Sequence, residues 1–229
     1  MRATAIIPVK RFGAAKKRLL DELDRPRRAA LVKAMLSDVL AATMRAALVE
    51  RVIVVTGEGR AERIALRRAR RGTVTLEVLR DPKDLGHSEA ATLGIVRAKA
   101  LGASCVVLLP GDCPLLDPAD LDAALERMRD RRVAVVPDRH GTGTNALLLA
   151  PPDAIGPAFG PGSCARHADR GRRAGHEVAL EPLSSLGLDV DTPADLAALS
   201  AALEREPGIA PATAAELNQP ETAGRRSIG

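Results

Sequence analysis

Five cations fall within nine residues near the start of this chain: Lys10, Arg11, Lys16, Lys17 and Arg18. Small residues (Gly13, Ala14, Ala15) separate them, so the segment reads as a pliable basic loop. A loop of this kind suits a triphosphate, because backbone N–H groups and ammonium groups can surround a polyanion together. The alternative is a solvated turn before a helix, since basic runs commonly lie on exposed faces. Asp112 stands in Leu109-Pro110-Gly111-Asp112-Cys113-Pro114, and Asp189 and Asp191 stand in Leu188-Asp189-Val190-Asp191-Thr192-Pro193. A carboxylate facing a phosphate loop needs a cation between the two. Magnesium takes one or two carboxylates plus substrate phosphates, so Asp112, Asp189 and Asp191 are candidates for a two- or three-carboxylate metal site. Against this, Gly-Asp is also common turn chemistry, and Asp191 also suits the dipole of the helix that follows it.

Two further segments offer N–H groups and hydroxyls: Gly141-Thr142-Gly143-Thr144-Asn145 and Phe159-Gly160-Pro161-Gly162-Ser163-Cys164-Ala165-Arg166-His167. The second runs into a helix with Ser163 as its expected N-cap, and a glycine loop feeding a helix start is an anion site. Together they predict a second anionic ligand. His167 reads as a helix-surface or capping residue. His87 and His140 read as loop residues and His176 as the opening of a strand. No Ser/His/Asp or Cys/His arrangement is evident.

Elements must position these groups. Ala3-Thr4-Ala5-Ile6-Ile7-Pro8-Val9 is short, apolar and β-branched, a buried strand that delivers Pro8, Val9 and Lys10 to the crevice beyond its carboxyl end. Further strands are expected at 51–56, 74–79, 104–109, 133–136, 145–149 and 178–180. Helices are expected at 26–47, 59–70, 88–101, 118–130, 164–174 and 193–205. Thr192, Pro193 and Asp195 form a helix start. The β-α-β-α order predicts an α/β fold with a mostly parallel, mixed central sheet flanked by helices. One domain is expected over 1–206, followed by a C-terminal tail, 207–229, that is poorly ordered or loosely docked.

Composition narrows the classes. The chain has 229 residues, no Trp, no Tyr and only Phe12 and Phe159, so its core must be aliphatic and Ala-rich, with helices packed close on the sheet. So few aromatics argue against binding single-stranded nucleic acid, which stacks bases on rings. The net charge of +5 is modest and fits acidic small molecules as well as it fits nucleic acid. Arg60, Arg63, Arg67 and Arg71 share one helical face, read as solvated. Cys105, Cys113 and Cys164 lack metal-ligand spacing and read as reduced thiols. No apolar run approaches the ~18 residues of a membrane helix, and no signal peptide precedes the first strand. The expectation is a cytoplasmic chain without nucleic-acid or membrane partners, and compatible with a homodimer.

In combination these motifs resemble those of the CofC/FbiD-type guanylyltransferases of coenzyme F(420) biosynthesis. The resemblance rests on Ile7 to Phe12 with Ala15 to Leu19, Pro110 to Leu115, Gly141 to Thr144, Phe159 to His167 and Asp189 to Asp195, and it spans the chain to about residue 206. It implies a nucleotidyltransferase fold of the Rossmann-like, glycosyltransferase-A-like kind. It also implies a reaction: GTP and a small phosphorylated carboxylic acid give a guanosine diphosphate-linked acid and pyrophosphate. Phosphoenolpyruvate is the expected acid, ahead of 2-phospho-L-lactate and 3-phospho-D-glycerate. By the same resemblance Asp112 and Asp189 match magnesium ligands, and Lys10, Thr144, Gly160 and Ser163 match positions that hold the acid or the phosphates. Pro8, Val9, Lys10, Lys16, Pro110 and Gly111 would line the nucleotide. Leu85-Gly86-His87-Ser88-Glu89-Ala90-Ala91 departs from the Asn-containing stretch of many members, which leaves His87 or Ser88 to meet the base. Rival readings are a cytidylyl- or sugar-nucleotidyltransferase, a glycosyltransferase using Asp189-Val190-Asp191, and a non-catalytic anion-binding module.

Overall fold

The structure, a computed structural model, describes residues 2–12, 16–70, 72, 74–81 and 83–219. Gly13, Ala14 and Ala15 of the basic loop, Arg71 of the arginine face and residues 220–229 of the tail lie outside the described residues. Seven strands form one sheet: β1 (Ala3–Val9), β2 (Val49–Thr56), β3 (Thr75–Arg80), β4 (Val106–Leu108), β5 (Val133–Pro137), β6 (Thr144–Leu149) and β7 (Val178–Leu180). Their order is β3-β2-β1-β4-β6-β5-β7. β1 pairs in parallel with both β2 and β4, with Ile6 opposite Ile53 and Leu108. β6 runs antiparallel between β4 and β5, which makes the sheet mixed as well as mostly parallel.

Side-chain alternation along β1 builds both layers. Ala3, Ala5 and Ile7 enter one core with α1 (Arg25–Thr43), α2 (Gly59–Ala69), α4 (Pro118–Arg127) and α6 (Pro193–Arg205). Ile6 enters the other with α3 (His87–Ala100) and α5 (Ser163–Arg173). Such a period-2 pattern, apolar on both faces, is what a central strand covered on both sides requires. The second core shows the close packing that an aromatic-poor sequence demands. A Cβ on Gly94 of α3 would stand 2.3 Å from Ile6 Cγ2, so only glycine lets this helix approach the sheet so closely.

Helix ends follow local chemistry. Asp24 caps α1 by accepting from Arg27 N, with Pro26 in the first turn. α1 stops at Thr43 rather than continuing to 47, because Asp122 of α4 accepts from Ala47 N and Leu48 N, both at 2.8 Å. Thr192 and Asp195 form a reciprocal capping box at α6.

The tail corrects the sequence reading over its described part. Residues 211–217 form a further helix, α7 (Pro211–Leu217), docked on α1. Buried Asp38 of α1 accepts from Ala212 N at 3.1 Å, Thr213 N at 2.7 Å and Thr213 Oγ1 at 2.7 Å. Those N–H groups are the ones a helix start leaves without internal partners. The anchor is therefore a distant carboxylate, which apolar periodicity within the tail cannot reveal. Among the described residues no helix is long and apolar enough to cross a membrane.

Candidate active site

Parallel strands end together, so the chemistry-bearing residues collect on one rim. β1 brings Pro8, Val9 and Lys10 there, and the turn after β4 brings Pro110, Gly111 and Asp112 beside them. Two connected recesses open at this rim. The smaller, about 300 Å³, is lined by Pro8, Val9, Lys16 and Gly111, among others. The larger, about 800 Å³, is lined by Ser88, Thr144, Gly160, Ser163 and Asp189, among others. Lys10, His87, Pro110, Asp112 and Asp191 border both. The residues expected to meet the metal, the nucleotide and the acid thus line these two adjoining recesses.

Charge is densest where the recesses meet. Lys16 Nζ bonds Asp191 Oδ1 at 2.8 Å and also contacts Asp112 Oδ2. The Lys16 side chain is 4% exposed, against 30% for Asp112 and 50% for Asp191. Burial alone would discharge the ammonium, but the two carboxylates outweigh it and hold the Lys16 pKa above its ordinary value. Burial likewise opposes the charge on Asp112, yet Lys16 overcomes it and keeps that carboxyl below the usual range. Asp189 shows the reverse. Burial first, then the charges of Asp112 and Asp191, push its pKa up. Asn145 Nδ2 donates to Asp189 Oδ1 at 3.5 Å and to Leu186 O at 2.6 Å. Asp191 is held through its backbone, whose N–H donates to Asp195 Oδ2 at 3.1 Å.

Asp112, Asp189 and Asp191 outnumber the one ammonium that bonds to them, Lys16, so a divalent cation could be held beside them, with Lys10 and Arg18 also lining the larger recess. Among the described residues, however, no group of three His, Cys, Asp or Glu side chains is gathered closely enough to hold a metal by itself. The donor set therefore fits magnesium only in its usual manner, with one or two carboxylates and the remaining ligands from substrate phosphate and water.

The far wall is built by the loop before α5. Gly162, at φ +69°, is the N-cap of this helix and makes no side-chain capping bond. That corrects the expectation for Ser163, which is the first helical residue and is buried. Asp138 shapes the neighbouring glycine turn by accepting from His140 N at 3.1 Å and Thr142 N at 2.9 Å. His87 opens α3 rather than lying in a loop, and its ring meets Phe159 edge-on at 4.6 Å. Ser88 Oγ accepts from Phe159 N at 2.9 Å. The two residues expected near the base are thus tied to the wall that carries Gly160 and Ser163. Burial, with Lys10 adding to it and Asp112 opposing, lowers the His87 pKa to about 4, so the ring is neutral at neutral pH.

His167 corrects the reading most. It is fully buried, not on the helix surface. Its Nε2 accepts from Ala158 N at 2.7 Å, its Nδ1 lies 3.0 Å from Thr144 Oγ1, and its ring packs edge-on against Phe159. A signal existed in the four-residue spacing that sets His167 on the same face of α5 as Ser163. Asn145 reads in the sequence only as the end of a glycine turn. Its clue is an amide beside the apolar run Ala146 to Leu149. Cys113 and Cys105 are buried, and burial raises both thiol pKa values.

Similarity to known proteins identifies the family and the fold. The family model described as "guanylyl transferase CofC like" matches residues 3–202. A phosphoenolpyruvate guanylyltransferase from Conexibacter woesei is 47% identical over 221 residues, covering 96% of each chain. Another, from Sphaerobacter thermophilus, is 37% identical, covering 87% of this chain and 93% of the relative. Among solved structures, a CMP:2-keto-3-deoxy-manno-octonic acid synthetase with bound CTP superposes with TM-score 0.59 at 18% identity, covering 90% of this chain and 100% of that one. A nucleotidyl transferase from Methanothermobacter gives TM-score 0.63 at 17% identity, covering 89% and 98%. At such low identity these two likenesses carry the fold alone, and that fold is the single-domain nucleotidyltransferase-like α/β architecture expected above.

Proposed function

Because this chain belongs to the CofC-like guanylyltransferase family and is a nucleotidyltransferase, we propose that it transfers GMP from GTP to phosphoenolpyruvate, with release of pyrophosphate, as a step of coenzyme F(420) biosynthesis. The observation that carries this reading is the composite cleft. One recess joins the strand-end Lys10 to Asp112, and the adjoining recess carries Thr144, Gly160 and Ser163 opposite Asp189. A triphosphate and a small doubly anionic acid fit such a pair of chambers. The acid itself is suggested by the names of the relatives in Conexibacter and Sphaerobacter.

A phosphate oxygen of the acceptor attacks the α-phosphorus of GTP. The bond from that phosphorus to the bridging oxygen breaks, and pyrophosphate leaves with the oxygen and its electron pair. The acceptor is already ionised at neutral pH, so no general base is required. His87 and His167, whose pKa values burial lowers to about 4, would be weak bases in any case. Magnesium, held by Asp112 and Asp189 beside Asp191, would supply positive charge to the triphosphate. Lys10 ends a rigid strand and so is placed to meet the transferring phosphate. Lys16 is placed to exchange its carboxylates for nucleotide phosphate. Thr144, Gly160 and Ser163 hold the acid so that its phosphate oxygen lies in line with the bond that breaks.

Pyrophosphate release tests the reading when GTP, ATP, CTP and UTP are each offered with phosphoenolpyruvate, 2-phospho-L-lactate and 3-phospho-D-glycerate. GTP with phosphoenolpyruvate is expected to be fastest. Turnover with CTP in preference to GTP would move the chain to a cytidylyltransferase activity. Preference for another acid would keep the reaction class and change the acceptor.

A further inference from the structure

The mechanism above makes no chemical use of His167, although both of its ring nitrogens are engaged in a fully buried place. The direction of each bond can be deduced. Ala158 N–H can only donate, so Nε2 must present a lone pair. Burial, and then the charges of Arg170 and Arg166, lower the His167 pKa to about 4, so the ring is neutral. A neutral imidazole with a bare Nε2 carries its proton on Nδ1. Nδ1–H therefore donates to Thr144 Oγ1, 3.0 Å away. The hydroxyl cannot return its own proton to Nδ1. It has no other hydrogen bond among the described residues, and Thr144 borders the larger recess.

We propose that His167 is a positioning residue that fixes the Thr144 hydroxyl as a hydrogen-bond donor toward an anionic oxygen of the acceptor acid. A free threonine hydroxyl rotates and can offer a lone pair instead. Here the backbone of Ala158 sets the tautomer, the tautomer sets the hydroxyl, and the hydroxyl selects an oxygen that only accepts, a carboxylate or phosphate oxygen. The same contact pins Ala158 and Phe159, so the wall and the hydroxyl move as one unit. This inference rests on the reading that Thr144 holds the acceptor.

Two substitutions separate the functions of the ring. In His167→Gln the amide oxygen can replace Nε2, but no donor remains near Nδ1. In His167→Asn the amide nitrogen lies near the place of Nδ1 and can donate to Thr144. Steady-state kinetics with GTP and phosphoenolpyruvate should show the KM for the acid raised roughly tenfold in His167→Gln, the worth of one hydrogen bond to a charged group. The KM for GTP should move far less, and His167→Asn should restore the larger part of the loss. Thr144→Val should raise the KM for the acid similarly, and the double variant should be no worse than Thr144→Val alone. Additive losses, or equal rises for both substrates, would overturn the inference while leaving the acceptor reading intact. An unchanged KM for the acid in Thr144→Val would instead defeat the acceptor reading, and this inference with it. If the His167 variants do not fold, nitrogen-15 spectra of the unsubstituted protein decide, because a proton on Nε2 rather than Nδ1 rules the arrangement out.

Discussion

Lys16 Nζ lies 2.8 Å from Asp191 Oδ1 while also contacting Asp112, so a single buried ammonium joins two carboxylates that are distant in sequence. Lys16 adopts φ +57°, unusual for a residue with a side chain, which indicates that the ion pairs help to set the loop. Lys16→Met would leave both carboxylates without this partner. Because Asp112 and Asp191 remain partly exposed, solvent offsets part of the loss, and the expected destabilisation is about 1–3 kcal/mol. Magnesium alone, by supplying positive charge to the two carboxylates, should narrow that gap in thermal melts. An unchanged melting temperature in Lys16→Met would show that the pair contributes nothing.

Asp112→Asn and Asp189→Asn should each reduce turnover by roughly a thousandfold or more, since an amide cannot supply the charge that a divalent cation requires. Circular dichroism should remain that of the unsubstituted protein, because both groups sit on the rim rather than in the core. Rates near the unsubstituted level at saturating magnesium would remove these residues from the metal site.

The site was legible in the sequence where a strand or a turn fixes one residue at a time. The apolar run before Lys10 and the Pro110-Gly111-Asp112 turn announce strand ends, and strand ends meet at one rim. What could not be read was contact between distant segments. Nothing near Lys16 indicates that it bonds Asp191, and nothing near Asp38 indicates that it caps a helix at 211. In the sequence His167 resembles a surface residue because α5 is strongly polar overall. Its burial depends on β6 and on the 156–160 loop. The helix starts near 26, 118 and 193 read well because Pro26, Pro118, Pro193 and their capping residues act locally.

The tail makes a stability prediction. Asp38→Ala would deprive Ala212 N, Thr213 N and Thr213 Oγ1 of their acceptor. A loss of roughly 2–4 kcal/mol is expected in chemical denaturation. Truncation before Pro211 should destabilise the protein as well, because buried Thr213 and its bonds to Asp38 would be lost. A truncated chain as stable as the full one would mean that this docking has no energetic weight.

His167 predicts a pH dependence. Its pKa falls from the ordinary 6.5 to about 4 on folding, so between these values the unfolded chain binds the extra proton. Stability from this group is complete above about 6.5 and is lost as pH falls toward 4, by about 1.4 kcal/mol per pH unit within that window. Urea titrations from pH 7 to pH 5 should show a steeper loss in the unsubstituted protein than in His167→Gln. Identical slopes would mean that the ring is not kept neutral by the fold.

Attack of the acceptor's phosphate on the α-phosphorus of GTP is tested by following label. GTP carrying phosphorus-32 at the α position, and separately at the γ position, is incubated with phosphoenolpyruvate and magnesium, and the products are resolved. The α label is expected in a guanosine diphosphate-linked acid and the γ label in pyrophosphate. Recovery of the α label in GDP with the γ label in inorganic phosphate, or no turnover with any acid, would rule out transfer of GMP to the acid.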